Sequence, residues 1–423
     1  MKERKIIGIS ERPPLGQFAA LSLQHMFAMF GASVLVPLLF GINASIVLFM
    51  NGFGTLLFIY VTKAKAPAYL GSSFAFLAPA LYLIANHPGG FRAAQGGFVA
   101  VGLAGCVVAG IIYKCGTDWI DVVLPPAAMG PVVALIGLEL AGTAASTAGL
   151  VGVDKIDGRS VIVFLITLGV AVFGQVLFKG FMSVIPILIA VIAGYVSALA
   201  TGLLTGADIA AKVGAVDFFV VPKFQTPIFD AGAIMVMMPA LLVILSEHIG
   251  HQIVTSKIVG TDLIKDPGLH RSIFADNFST ALSGFVGAVP TTTYGENIGV
   301  MAVTGVYSVW VIGGAAVFSI VLSFVGPLAA LINTIPGAVI GGISFLLYGM
   351  IGTSGLRILV DQQVDFGRSR NLALTSVVFV TGLSGIAINI GNIRMTGMAL
   401  AAVVAMLLSL IFYALDKAHL TND

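Results

Sequence analysis

Charged side chains are scarce in this sequence: Lys, Arg, Asp and Glu make up 9% of 423 residues, against about 25% in an ordinary soluble domain. No water-facing surface can be built from so few. With 58% of the chain hydrophobic, the bilayer has to replace water as the solvent. The net charge of +2 is spread over the chain with no block of basic residues, which excludes a nucleic-acid footprint. Cysteine is nearly missing as well. Cys106 and Cys115 lie nine apart around one apolar run, a pattern that supports neither a disulfide framework nor a cysteine-based metal centre. The first apolar run follows Lys2, Arg4, Lys5 and Arg12 and lacks an A-x-A-like end, so it is expected to remain as the first membrane helix.

What the sequence does have is apolar runs. A crossing helix takes about 20 apolar residues, and fourteen candidate segments fall near 16–40, 45–62, 68–86, 95–114, 124–143, 160–178, 183–204, 231–255, 272–289, 290–304, 308–332, 337–356, 371–390 and 394–415. With the N-terminus inside, fifteen of the 21 Lys and Arg fall in cytoplasmic segments. Arg92, Lys155, Arg159, Lys212, Lys223 and Arg394 fall opposite. This positive-inside bias places both termini in the cytoplasm and requires an even number of crossings. The expected fold class is therefore an all-α polytopic membrane protein with 14 transmembrane segments.

Two of these segments do not read as ordinary helices. Tyr69-Leu-Gly-Ser-Ser-Phe-Ala-Phe76 opens the third and Pro290-Thr-Thr-Thr-Tyr-Gly-Glu-Asn-Ile-Gly299 opens the tenth. Both are polar and Gly-bearing, and both read as short extended pieces leading into half-helices. Irregular backbone at membrane depth is tolerated where it is buried or lines a cavity, and paired interruptions in corresponding halves point to a transporter's binding site. Gln24-His25 precedes Glu247-His248 by 223 residues, and the same offset brings Gly71-Ser72-Ser73 onto Tyr294-Gly295-Glu296. Seven spans per half is an odd number, so the second half would enter from the opposite side as a 7+7 inverted repeat.

A charge inside the membrane costs about 2.5 to 3.5 kcal/mol on insertion scales, so the acids within spans, Glu139, Glu247, Asp276 and Glu296, need a reason to be there. Glu247 and His251 are four apart and share a helix face, while His248 points about 100° away. The first two can share a cavity, or form an ion pair that only neutralises the carboxylate. Asp276, in Ala275-Asp-Asn-Phe-Ser279, could cap a helix, bond a neighbouring helix or relay a proton. Glu296 and Asn297 sit where the extended piece turns helical, beside free N–H groups that would hold a carbonyl-bearing ligand. Phe74 should occupy the matching place opposite, its ring covering a flat ligand. The Glu-His-x-x-His order is wrong for a zinc-protease motif, and neither a nucleophile elbow nor a phosphate loop is present, so neither a metal, a cofactor nor an enzyme such as a membrane-embedded hydrolase is expected. The Gly337 and Gly341 pair is a weak helix-packing signal.

At these residues the chain becomes recognisable. Glu296-Asn-Ile-Gly-Val-Met-Ala-Val-Thr-Gly305 fits every specified position of a signature that runs Q, E or P, then N-x-G-x-x-x-x-T, then R, K or G. This signature marks the nucleobase-ascorbate transporter family (nucleobase:cation symporter-2). Ser246-Glu-His-Ile-Gly-His-Gln252, Gly71-Ser-Ser-Phe-Ala-Phe76, Ala275-Asp-Asn277 and Tyr294-Gly-Glu-Asn297 resemble its bacterial uracil permease branch, and the similarity runs through essentially the whole chain.

The resemblance implies a core domain made of residues 1–115 and 231–332 and a gate domain made of 116–230 and 333–423, with substrate at their boundary. It puts the two substrate-binding carboxylates on Glu247 and Glu296 and the core aromatic on Phe74. Tyr294, Gly295 and Asn297 complete the set, and proton coupling falls on His251 with Asp276. It implies proton-coupled uptake of uracil across a bacterial cytoplasmic membrane, with a purine or xanthine carrier as the alternative. A homodimer through the gate is what the family suggests. Glu at the head of the signature favours a pyrimidine, whose two N–H donors and two carbonyls would meet carboxylates and backbone N–H groups respectively.

Overall fold

The computed structural model describes residues 6–179, 182–183, 185–390 and 393–421; Lys2, Arg4 and Lys5, which entered the charge tally, lie outside the described residues. Helices dominate because lipid offers the backbone no hydrogen-bond partner, so each segment has to satisfy its own N–H and C=O groups. The first half runs α1 (Leu15–Phe40), α2 (Ala44–Val61), α3 (Leu77–Asn86), α4 (Gly90–Cys115), α5 (Asp118–Val123), α6 (Pro126–Glu139), α7 (Ala141–Thr147), α8 (Gly158–Leu177), α9 (Pro186–Ala200) and α10 (Gly206–Gly214). The second runs α11 (Ala231–Met237), α12 (Ala240–Val259), α13 (Leu269–Val286), α14 (Gly295–Thr304), α15 (Val309–Ser323), α16 (Gly326–Ile332), α17 (Gly337–Asp361), α18 (Ser369–Leu383) and α19 (Gly397–Lys417).

Eight helices among the described residues are long and apolar enough to cross a membrane: α1, α2, α4, α6 continued by α7, α8, α11 continued by α12, α17 and α19. Shorter apolar helices span Phe74–Asn86, α9 and α15. The fourteen apolar runs of the sequence are thus not fourteen long helices, because several are broken. The run 371–390 ends as a helix at Leu383, and Ala387–Ile390 pairs antiparallel with Ile393–Thr396. Polar side chains close helix starts outside the apolar layer: Asn43 accepts from Ser45 N–H at 2.8 Å and Asp230 from Ala233 N–H at 2.8 Å. That backbone bond holds the Asp230 carboxyl below its ordinary pKa, since it favours the charged form.

Two strands interrupt the bundle at its centre, β1 (Leu70–Ser72) and β2 (Thr291–Thr293), antiparallel with Leu70 opposite Thr293 and Ser72 opposite Thr291. Both are fully buried, so the outer edges of this ribbon cannot turn to water. Side-chain hydroxyls close them instead. Thr55 on α2 accepts from Leu70 N–H at 2.9 Å. Thr280 on α13 accepts from Thr291 N–H at 3.1 Å and donates to its carbonyl at 2.6 Å. A threonine hydroxyl can both donate and accept, so one side chain stands in for a missing strand.

Close helix crossings rest on glycine, as expected where lipid supplies no hydrophobic drive and backbones must approach. On α4, a Cβ built on Gly102 would lie 2.6 Å from Ala281 N and from Asn277 O of α13. Gly337 and Gly341 of α17 pack against the backbone of Thr147 and Ala144 at the end of α7, which gives that glycine pair a packing role. Overpacking of a tight crossing costs about 1 to 3 kcal/mol. Gly102→Val should therefore lower the thermal midpoint of the detergent-solubilised protein by several degrees. Gly110→Val, on the same helix with nothing within 4 Å of its Cβ position, should leave the midpoint near wild type.

Candidate functional site

The ribbon aims two helix starts at one another's neighbourhood. From β1 the chain passes through Ser73 into a 3-10 turn, Phe74–Phe76, and on into α3; from β2 it passes through Tyr294 into α14. The first N–H groups of a helix have no intrahelical partner, and they carry the positive end of its dipole. Beside them lies a cavity of about 630 Å³ whose wall includes Phe74, Glu247, His251, Tyr294, Gly295 and Glu296.

Helix α12 supplies Glu247 and His251 one turn apart, both nearly buried at 7% and 9% exposure. No ion pair joins them among the described residues. His251 Nδ1 instead meets Thr293 Oγ1 of β2 at 3.1 Å. Glu247 Oε2 and Glu296 Oε1 are buried with no hydrogen-bond partner, a costly condition for an acceptor at membrane depth. Two acceptor oxygens and two sets of helix-start N–H groups around one cavity form an arrangement that a small ligand with both N–H and C=O groups would satisfy.

The remaining sequence candidates sit behind this wall. Asp276 lies mid-helix in α13, not at its start, so it cannot be a helix cap; the boundary read from the sequence began three residues late. Its Oδ2 lies 3.5 Å from His248 Nδ1 and 3.5 Å from Thr292 Oγ1. The Asn297 side chain turns to α1, where Oδ1 meets His25 Nδ1 at 3.4 Å, so only its backbone is oriented with the helix start. Glu139 is apart from the site altogether. Its Oε2 accepts from Met398 N–H at 2.8 Å, tying the end of α6 to the first turn of α19.

Sequence reasoning missed the opposite wall. Gln175 of α8 and Gly349, Thr353, Ser354 and Arg357 of α17 line the cavity, and Arg357 Nε pairs with Asp361 at 3.3 Å. Gly349, Thr353 and Arg357 are four apart and share one helix face, a signal present in an otherwise apolar run. Tyr348, also on α17, places its ring 5.9 Å from that of Phe74 in an edge-on contact.

A family model described as Permease family matches residues 16–391. The chain belongs to this permease family. It is 54% identical over 411 residues to the uracil permease of Escherichia coli K12, covering 97% of this chain and 94% of that one. It is 51% identical over 436 residues to the uracil permease of Paenibacillus larvae, with both chains fully covered, and 44% identical over 420 residues to that of Bacillus subtilis, covering 97% and 96%. Among solved structures, the permease shares its fold with the transmembrane domain of the cyanobacterial bicarbonate transporter BicA. The TM-score is 0.61 at 15% identity, covering 95% of this chain and 98% of that one. Murine solute carrier 26 family member A9 in its inward-facing state gives a TM-score of 0.72 at 9% identity, covering 96% and 69%. The protein is thus a multi-pass membrane permease and not an enzyme.

Glycine at position 71 is required by the site's own packing: a Cβ there would overlap the ring of Tyr294. Gly71→Ala should push that ring out of the cavity wall and lower transport about tenfold, the equivalent of a displacement costing about 1.4 kcal/mol. Uptake of the labelled base for which the relatives are named measures this. Gly169→Ala, in open space on α8, should transport normally.

Proposed function

We propose that the permease carries uracil into the cell together with a proton. The observation that carries this reading is the pair of carboxylates, Glu247 and Glu296, that line one cavity beside two helix starts, each with a buried oxygen that lacks a partner. A uracil ring brings two N–H donors for the carboxylates and two carbonyls for the backbone N–H groups of Phe74, Gly295 or Asn297. The Phe74 ring and Tyr294 cover its faces. The names of the relatives support the same cargo.

In this reading the chain has fourteen spans in a 7+7 inverted repeat, with the extended pieces of spans three and ten forming the central ribbon. Residues 1–115 and 231–332 form the core, and 116–230 and 333–423 form the gate. Both termini face the cytoplasm of a bacterial cell, and a homodimer forms through the gate. The cavity runs from Glu247 to Arg357 near the C-terminal end of α17, the cytoplasmic end in this orientation, so the arrangement corresponds to an inward-open state of alternating access. Protons are taken up by the group of Glu247, His251, Glu296 and Asp276, since neutralising a buried carboxylate lowers the cost of moving the loaded core.

Two measurements test this. Loss of a hydrogen bond to a charged group costs about 1.5 to 3 kcal/mol, so Glu247→Ala and Glu296→Ala should each weaken uracil binding about tenfold to a hundredfold. Normal affinity in either variant refutes the site. A panel of uracil, thymine, xanthine and hypoxanthine in the same assay separates a pyrimidine from a purine carrier. In proteoliposomes, an acidic exterior should drive uracil accumulation and an alkaline exterior should reduce it. Accumulation indifferent to the gradient refutes proton symport.

A further inference from the structure

His248 was left without a role by both the sequence and the cavity, yet it is fully buried at the junction of three elements. Its Nδ1 lies 3.5 Å from Asp276 Oδ2 of α13 and 3.5 Å from Thr293 Oγ1 of β2. The same hydroxyl lies 3.1 Å from His251 Nδ1. From α2 the ring meets only the edge of Phe58, at 6.2 Å. Other ionisable groups close to these residues are Glu247 on α12, Glu296 on α14 and Cys106 on α4.

We propose that Asp276, acting through His248 and Thr293, fixes the tautomer of His251 so that its single ring proton sits on Nε2 and faces the cavity. The reasoning is a count of protons. A threonine hydroxyl carries one hydrogen, so Thr293 can donate to one imidazole only and must accept from the other. Asp276 Oδ2 is held as an acceptor, since the Thr292 hydroxyl donates to it at 3.5 Å. His248 must therefore present Nδ1–H, shared between Asp276 Oδ2 and Thr293 Oγ1. The Thr293 proton is then free for His251 Nδ1, which becomes an acceptor, and a neutral imidazole with an accepting Nδ1 carries its proton on Nε2.

The position of Nε2 gives this arrangement a use. It stands 3.2 Å from where a Cβ on Gly295 would be, so the glycine leaves its approach to the cavity open. Beside the buried unpartnered oxygens of Glu247 and Glu296 and the Tyr294 hydroxyl, the site thereby gains a neutral N–H donor on His251. On the reading that the cargo is uracil, that donor meets a ring carbonyl which the carboxylates would repel. His248, Thr293 and Asp276 are positioning residues: none of them lines the cavity, and they act through His251.

The test reads the proton directly. Full-length permease with ¹⁵N-labelled histidine is placed in lipid nanodiscs without ligand, and the His251 resonances are assigned by their loss in His251→Gln. The expected spectrum shows a protonated Nε2 and an unprotonated Nδ1. Thr293→Val and Asp276→Asn should each shift the tautomer ratio about fivefold toward Nδ1–H, the equivalent of one ordinary hydrogen bond. Thr293→Ser, which keeps the hydroxyl, should retain the original ratio, and Asp276→Asn serves if the valine variant does not fold. A protonated Nδ1 in the unaltered protein, or a ratio unmoved by losing the hydroxyl, overturns the proposal. The cargo assignment is judged separately: failure to bind uracil with Nε2–H intact sinks the cargo and leaves the relay standing, whereas uracil binding with Nδ1–H does the reverse.

Discussion

The structure depends on one constraint, the satisfaction of backbone hydrogen bonds where there is no water. A helix meets it alone, but a helix cannot offer free N–H groups to a ligand at mid-depth. The β1–β2 ribbon resolves the conflict. Three residue pairs bond across it, threonine hydroxyls from α2 and α13 close its edges, and two helices can then begin inside the protein. Everything in the candidate site follows from where those helices begin. Beside β2 the wall is supplied by α12, whose one-turn spacing brings Glu247 and His251 to the same side.

The carboxylates show what such a site costs. Glu247 and Glu296 each keep a buried oxygen without a partner and have no side-chain hydrogen bond among the described residues, while Asp276, Asn297 and Gln95 nearby each keep one unpartnered atom but engage another: Asp276 with His248 and Thr292, Asn297 with His25, Gln95 with two carbonyls. Structural polar groups in the membrane interior are paired where they can be. The cavity-lining carboxylates without a side-chain partner are therefore the ones left for a ligand or a proton. Glu139 makes the contrast clear, since its backbone contact with α19 explains its presence without any ligand.

Much of this was legible before any coordinates. The shortage of charge pointed to the membrane, the polar Gly-bearing stretches marked the two strand positions, and Glu247 with His251 fell on one helical face. Other features were not legible, for reasons that can be named. Apolar composition cannot distinguish a long helix from a broken one, so 371–390 read as a single span although its helix ends at Leu383. Asp276 looked like a cap because a polar cluster near a loop resembles a helix start. The role of Asn297 turned on rotamer and neighbour, which no spacing encodes. Gln175, Thr353 and Arg357 went unnoticed because single polar residues on apolar helices are ambiguous until the facing element is known.

The sequence by itself determined the solvent, the helical character of the chain, the family and the two candidate acids, Glu247 on a helix face and Glu296 at a helix break. These depend on composition and short-range spacing, which are properties of the chain alone. Only the tertiary structure decided which acids face empty space, which residues of α8 and α17 close the far wall, and that a hydroxyl on β2 stands between two histidines one helical turn apart. The reason is physical: a hydrogen bond or a cavity is a relation between elements far apart in the chain, and its geometry exists only once β1, β2, α12 and α13 have packed together.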